Sequence, residues 1–229
     1  MTFRIRHEHI PADGTASLSI ALLSDLHVWT GARLLDRLDG HLREDPPDVV
    51  ALTGDLFDVP AGARLVASFL RTIGMRYPVV FVLGNHDRFW GRRYWEPLAS
   101  IPGCHFLSQK PFQLATPAGG LFEFVDLSRP GGRLDPRTVR IGLAHSPEKI
   151  PSHGFPEVRL ALAGHLHGGQ FVFWTDRHGS LYPGSFAYRH LADRKRLGTT
   201  QLVVSRGLGD TLPLRWNCPR EVVRIRLGG

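Results

Sequence analysis

Lysine is nearly missing from this 229-residue chain: Lys110, Lys149 and Lys195 are the only three among 28 basic residues. Its net charge of +7 therefore rests on arginine, whose planar fork grips phosphate and carboxylate groups. That balance favours anionic partners such as nucleotides, nucleic acid or acidic headgroups, although the arginines are spread along the chain rather than clustered. Cysteine is equally scarce. Cys104 and Cys218 stand alone, which excludes a disulfide framework and any CxxC metal or redox motif and predicts reduced thiols in a cytoplasmic setting. No apolar run approaches the roughly 20 residues that span a bilayer. Met1–Pro11, with Arg4, Arg6, His7, Glu8 and His9, has no signal-peptide core. A soluble chain is expected, with at most peripheral contact with the inner membrane. Repeats and low-complexity tracts are absent too. What remains is ordinary globular composition, 42% hydrophobic and 21% charged, and a length that suits one domain over residues 1–229.

Within it one pattern recurs: a short apolar run, then a polar cluster with Asp, Asn or His. Ser17–Leu23 leads into Ser24-Asp25-Leu26-His27, Asp48–Leu52 into Thr53-Gly54-Asp55, and Pro78–Leu83 into Gly84-Asn85-His86-Asp87. Val139–Ala144 ends at His145, and Arg159–Ala163 leads into Gly164-His165-Leu166-His167. Runs of this length, rich in Val, Ile, Leu and Phe, predict buried strands. Ala32–Glu44 and Gly62–Gly74 carry apolar residues at helical spacing. The order βαβα implies parallel strands in the first half. In the second half Gln170–Trp174, Gln201–Arg206 and Glu221–Leu227 predict strands without long helices between them, hence a second sheet closing on the first. Ala115–Pro136 predicts a hairpin about Gly119-Gly120, then a loop.

Carboxyl ends of buried strands are where α/β sheets place their sites. Five such ends here supply Asp25, His27, Asp55, Asn85, His145, His165 and His167. Mixed oxygen and imidazole donors suit borderline transition metals better than magnesium or calcium. Seven ligands exceed one ion's needs and fit two ions sharing a carboxylate. In Asp25-Leu26-His27 and His165-Leu166-His167, residues two apart fall on one side of an extended chain, so each pair is expected to point into one pocket. Singly, each piece reads as a turn or an ordinary histidine; five in this order do not.

The ordered set DLH, GD, GNHD, a lone His after a strand and GHLH resembles the calcineurin-like metallophosphoesterase superfamily, over Ser24–His167. GHLHGGQ at Gly164–Gln170, VSRGLG at Val204–Gly209 and PLRWNCPREV at Pro213–Val222 extend the likeness to its bacterial YaeI-like and YkuE-like branch. The resemblance implies an α/β fold, a two-sheet β-sandwich flanked by helices. It implies that Asp25, His27 and His167 hold one metal, that Asn85, His145 and His165 hold the other, and that Asp55 bridges them. His86 would approach the phosphate without binding metal, and Asp87 would orient it. The cofactor is expected to be two divalent transition-metal ions, manganese first, with iron, zinc, cobalt or nickel as alternatives. The reaction is expected to be attack of metal-activated water on a phosphodiester or pyrophosphate.

GDxxD here is followed by Val59 rather than Arg-Gly, and the later motif is GNHD rather than GNHE. Both set the chain apart from serine/threonine protein phosphatases. Arg88-Phe89-Trp90-Gly91-Arg92-Arg93-Tyr94-Trp95 follows the GNHD motif, with Trp29 and Phe171, Phe173 and Trp174 after two others. Arginines interleaved with aromatic rings predict a rim, with Arg88, Trp90 and Arg92 as substrate-binding residues for a lipid-linked substrate, such as a UDP-diacylglucosamine-type precursor, or a nucleotide-containing one. Arg206 and Asn217 either line the site or pin the last strands. The competing readings are a nuclease or cyclic-nucleotide phosphodiesterase on the same scaffold, and a non-catalytic scaffold protein.

Overall fold

The computed structural model describes residues 2–12, 17–130, 132, 135, 137–210 and 214–228. The chain runs β1 (Arg4–Ile10), β2 (Leu18–Leu23), α1 (Arg33–Glu44), β3 (Val49–Leu52), α2 (Pro60–Gly74), β4 (Val79–Phe81), the short helices α3 (Asn85–Phe89) and α4 (Arg92–Trp95), and β5 (Cys104–Phe106). It continues with β6 (Phe112–Ala115), β7 (Leu121–Asp126), β8 (Thr138–Leu143), β9 (Leu160–Ala163), β10 (Val172–Thr175), β11 (Leu181–Pro183), β12 (Arg194–Leu197), β13 (Thr200–Val204) and β14 (Glu221–Leu227). One six-stranded sheet has the order β1-β14-β2-β3-β4-β5, another β12-β13-β9-β8-β7-β6, and β10 and β11 form a separate antiparallel ribbon. Strands β2 to β5 are mutually parallel, as the βαβα order requires, and so are β7, β8, β9 and β13.

The period-two rule of strands sorts the side chains into layers. Leu18, Ile20 and Leu22 face Phe122, Phe124, Ile141, Leu143, Leu160 and Leu162 in a core between the two sheets. Ala21 and Leu23 point the other way, onto α1 and α2. Helix α1 has no side-chain N-cap at Ala32, but Leu34, Leu35, Leu38 and Leu42 are all buried on its inner face. Burying one leucine stabilises by about 1.5–3 kcal/mol, against about 1 kcal/mol for a missing cap, so packing decides where this helix lies. The outer face of the second sheet is covered by a further cluster that includes Ile150, Val158 and Leu197.

Three features depart from the sequence expectations. β14 joins the first sheet, inserted parallel to β1 and antiparallel to β2, rather than the second. Strand β1 itself was not foreseen: its Arg-Ile-Arg-His-Glu-His sequence lacks apolar alternation because its charged side chains are paired, Arg6 with Glu8 and Glu221. The hairpin about Gly119-Gly120 is present as β6–β7, but β7 is a buried strand of the second sheet. The loop expected after it includes Gly131, Arg133, Leu134 and Pro136, which lie outside the described residues, as does Pro213 of the tail motif.

Candidate metal centre

The carboxyl ends of β2, β3, β4, β8 and β9 meet at one place. Asp25, His27 and His167 offer ligand atoms within 4.8 Å of one another, and so do Asp55, His145 and His165. His27 Nε2 lies 3.1 Å from His167 Nε2, and His145 Nε2 lies 3.0 Å from Asn85 Oδ1. Neighbouring ligands of one transition-metal ion, each about 2.1 Å from it, stand about 3 Å apart, so these separations match the donor shell of a cation. All seven predicted ligands therefore converge.

The carboxylates are arranged to share themselves between the protein and an ion. Asp55 Oδ1 accepts the His86 backbone N–H at 2.9 Å. Its Oδ2 is turned to both donor sets, 3.3 Å from His145 Nε2 and 3.9 Å from His27 Nε2, as a bridging oxygen must be. Asp25 accepts the Ser24 hydroxyl and the His165 N–H. The outer ring nitrogens are also held: His145 Nδ1 is 2.8 Å from Thr53 O, and His27 Nδ1 is 2.7 Å from Asp58 Oδ1. A ring whose Nδ1–H is so bound turns its Nε2 lone pair inward.

Convergence is achieved differently from the extended geometry expected of the two x-Leu-x motifs. Asp25, His27, Asp55, His165 and His167 all have positive φ, between 43° and 71°. Non-glycine residues rarely adopt this left-handed region. Leu26, between Asp25 and His27, is buried. His165 and His167 diverge, His165 to the Asp55–His145 set and His167 to the Asp25–His27 set. The turn at Asp55 also needs close backbone packing, since Gly84 approaches so near that a Cβ there would lie 2.0 Å from Asp55 Oδ1.

Charge follows this geometry. Burial disfavours a proton on His145, but the Asp55 carboxylate overrides it and raises the imidazole pKa to about 9. Burial likewise works against ionised Asp55, yet hydrogen bonding to His145 brings its carboxyl down to about 2. Burial lowers the pKa of His167 and His165, with the neighbouring His145 and Lys149 charges adding to the effect at His165. For His27, burial is outweighed by Asp58, and the pKa rises.

His86 and Asp87 require a correction. Asp87 does not reach the His86 ring. It is fully buried, and its carboxylate accepts backbone N–H groups of Leu56, Phe57 and Gly84, which ties the loops after β3 and β4 together. Burial pushes its carboxyl up to about 6. The partner of His86 is Asp58, whose Oδ1 lies 2.8 Å from Nδ1. Asp58 also accepts the Trp29 indole N–H at 2.6 Å and, through its backbone oxygen, that of Trp90 at 2.6 Å. The sequence signal for Asp58 was its place three residues after Asp55.

The aromatic rim is split. Trp29, His86 and Phe89 line an open pocket beside Asp58 and Asn85, with Trp90 hydrogen-bonded beneath. Tyr94 and Trp95 instead pack on the helix-side core. Arg88 lines a cleft with His145 and His165. Arg92 does not join it: its guanidinium pairs with Glu96 at 2.7 Å and lies over Trp95. Arg206 is a pinning residue, bidentate to Asp193 at 2.7 and 2.6 Å, and Asn217 donates to Val172 O. The tail residue beside these side chains is Arg215, with Nη2 3.2 Å from His167 Nδ1; it lies in the PLRWNCPREV stretch, from which the sequence reading took Asn217 instead. Phe171, Phe173 and Trp174 lie exposed at the ribbon.

A strand-end cluster of two Asp, one Asn and four His in a two-sheet α/β sandwich is a candidate metallohydrolase centre with two groups of donors. The chain belongs to the calcineurin-like phosphoesterase family, whose sequence profile matches residues 18–169, and is a metal-dependent phosphoesterase. It is 28% identical over 230 residues to the phosphodiesterase YaeI of Escherichia coli (strain K12), covering 94% of this chain and 84% of that one. It is 27% identical over 202 residues to the uncharacterized metallophosphoesterase YkuE of Bacillus subtilis (strain 168), covering 81% and 70%. The protein TT1561 of Thermus thermophilus shares the fold, with a TM-score of 0.50 at 15% identity over 85% of this chain and 90% of that one. No helix among the described residues is long and apolar enough to cross a membrane.

Proposed function

We propose that the chain hydrolyses a phosphodiester or pyrophosphate linkage with two divalent transition-metal ions, manganese first among them. The observation that carries this reading is Asp55 Oδ2, a single oxygen facing both donor sets. Asp25, His27, Asp55 and His167 would hold one ion, and Asp55, Asn85, His145 and His165 the other. Such a pair, when bound, neutralises phosphate charge and lowers the pKa of coordinated water.

The protein's own groups supply the rest. Asp58 holds His86 Nδ1–H, so Nε2 is the ring atom available to the substrate. A protonated His86 can stabilise charge developing on phosphorus-bound oxygens, then pass its proton to the leaving oxygen as the old P–O bond breaks. Asp58 is a positioning residue for that step, and Asp87 supports the loops that carry it. Trp29 and Phe89, exposed beside His86, offer a shelf for a planar or acyl group, which supports a nucleotide-containing or lipid-linked substrate. The activity named for YaeI favours a diester.

The test is metal analysis of the purified protein, with turnover of bis(p-nitrophenyl) phosphate under manganese, iron, zinc, cobalt and nickel. Two bound ions and manganese-supported turnover are expected, with both lost in Asp55→Asn. A protein that takes up no transition metal, or turns over no phosphoester with any of them, overturns the reading.

A further inference from the structure

The metal centre opens in two directions of unlike chemistry. On the Trp29 side the walls are aromatic. On the other side a cleft of about 380 Å³ passes Gly84, Asn85, Arg88, Ser128, Lys149 and His165. Asn85 borders both, so the two openings meet at the ligands themselves.

Arg88 and Lys149 both line the second cleft, from α3 and from the turn after β8. Arg88, like Lys149, has no acidic or hydrogen-bonding side-chain partner among the described residues, whereas Arg92, Arg140, Arg206 and Arg215 are each tied to a carboxylate. The acidic residue in the cleft, Asp126, does not stand in for an anion there: its oxygens accept the Ser108 hydroxyl and the Ser128 N–H. Lys149 is one of only three lysines in the chain. Two uncompensated cations in one concave wall, against the metal ligands, make a site for an anion beyond the one the metals would hold. An arginine fork and a lysine point charge are the pair that phosphoryl oxygens accept.

We propose that this cleft is a subsite for a second phosphoryl group, next to the scissile one, and that the preferred substrate is a pyrophosphate diester with its planar or acyl arm on the aromatic side. The proposal rests on the phosphoester reading above and narrows its substrate. In the reaction a water oxygen bonds to the scissile phosphorus and the bridging P–O bond breaks. Its electron pair stays on the bridging oxygen of the departing phosphoryl group, whose added charge Arg88 and Lys149 share. One water proton replaces the one that His86 passes to that oxygen, the other goes to solvent, and two phosphomonoesters result.

The test uses two substrates that differ by one phosphoryl group, bis(p-nitrophenyl) phosphate and the corresponding P1,P2-bis(p-nitrophenyl) pyrophosphate, with manganese-loaded full-length protein. The wild type is expected to favour the pyrophosphate in kcat/KM. The preference ratio should fall roughly tenfold in Arg88→Met and again in Lys149→Met, the size of one charge-assisted contact at a half-open site. Lys149→Arg should restore most of it. Both side chains are exposed, so the variants should fold, and melting curves check this. A ratio that stays within threefold in both variants overturns the subsite, as does a wild type that cleaves the diester and leaves the pyrophosphate untouched. Failure on both substrates instead sinks the phosphoester reading itself.

Discussion

Gly84→Ala removes nothing from the metal centre and yet should disable it. The added Cβ would lie 2.0 Å from Asp55 Oδ1, 2.7 Å from Asp55 Cγ and 2.5 Å from Asp55 N. An ordinary carbon–oxygen contact is about 3.3 Å or more, so the gap must open by over about 1 Å. Neither side yields easily. Asp55 O accepts the His27 N–H at 3.0 Å, and Gly84 N donates to buried Asp87 at 2.8 Å. The easier movement is of the Asp55 carboxylate, which carries the bridging oxygen away from His145 and His27. A misplacement of about 1 Å costs on the order of 10²-fold in rate, near 2.7 kcal/mol of activation free energy. The assay is kcat/KM on bis(p-nitrophenyl) phosphate with metal content on the same sample. Gly31→Ala serves as control, because a Cβ there meets nothing within 4 Å. A Gly84→Ala protein that holds two metals and keeps its rate within threefold of wild type would refute the claim that this contact positions the bridge.

Other expectations follow from the same geometry. Asp58→Asn should lower kcat by about 10²–10⁴, because it weakens the partner that His86 and His27 share; a kcat unchanged within threefold would remove Asp58 from the mechanism. Metal affinity should climb with pH: the metal-free His145 has a pKa of about 9, so at pH 7 an incoming ion must displace its proton. The apparent affinity should then rise about tenfold per pH unit towards 9 and flatten above it. Calorimetry in buffers of different ionisation enthalpy should detect the released proton, and an affinity flat from pH 6 to 8 would contradict this. Glu123→Ala should destabilise the fold by about 3–5 kcal/mol in denaturant titration, since it strips the buried Arg140 guanidinium of its 2.8 Å carboxylate partner. Arg92→Ala, by contrast, breaks only an exposed pair with Glu96, and kcat/KM should stay within twofold.

The sequence made the buried strands and their polar ends legible because both signals are local. Leu18–Leu23, Val49–Leu52 and Leu160–Ala163 are apolar runs that end where a ligand begins. That Asp25, His27, Asp55, Asn85, His145, His165 and His167 meet in one place was legible for the same reason. Three things were not. β14 inserts between β1 and β2, a choice made by pairing across some two hundred residues, which no local pattern records. Strand β1 hides its type behind paired charges. The family resemblance implied Asp87 as the residue that orients His86, but α3 begins at Asn85 and successive helical side chains point in different directions. Asp58, distant along the chain from His86, supplies the carboxylate instead.

The left-handed backbone at five of the ligands has a consequence for how such a centre persists over generations. A non-glycine residue held there costs about 1–2 kcal/mol, so glycine in place of His27 or His167 would relieve strain while deleting a ligand. In a screen that scored only folding, such substitutions should be enriched; under selection for turnover they should vanish. Selection for durability alone would therefore drift towards an empty cage on an intact sandwich.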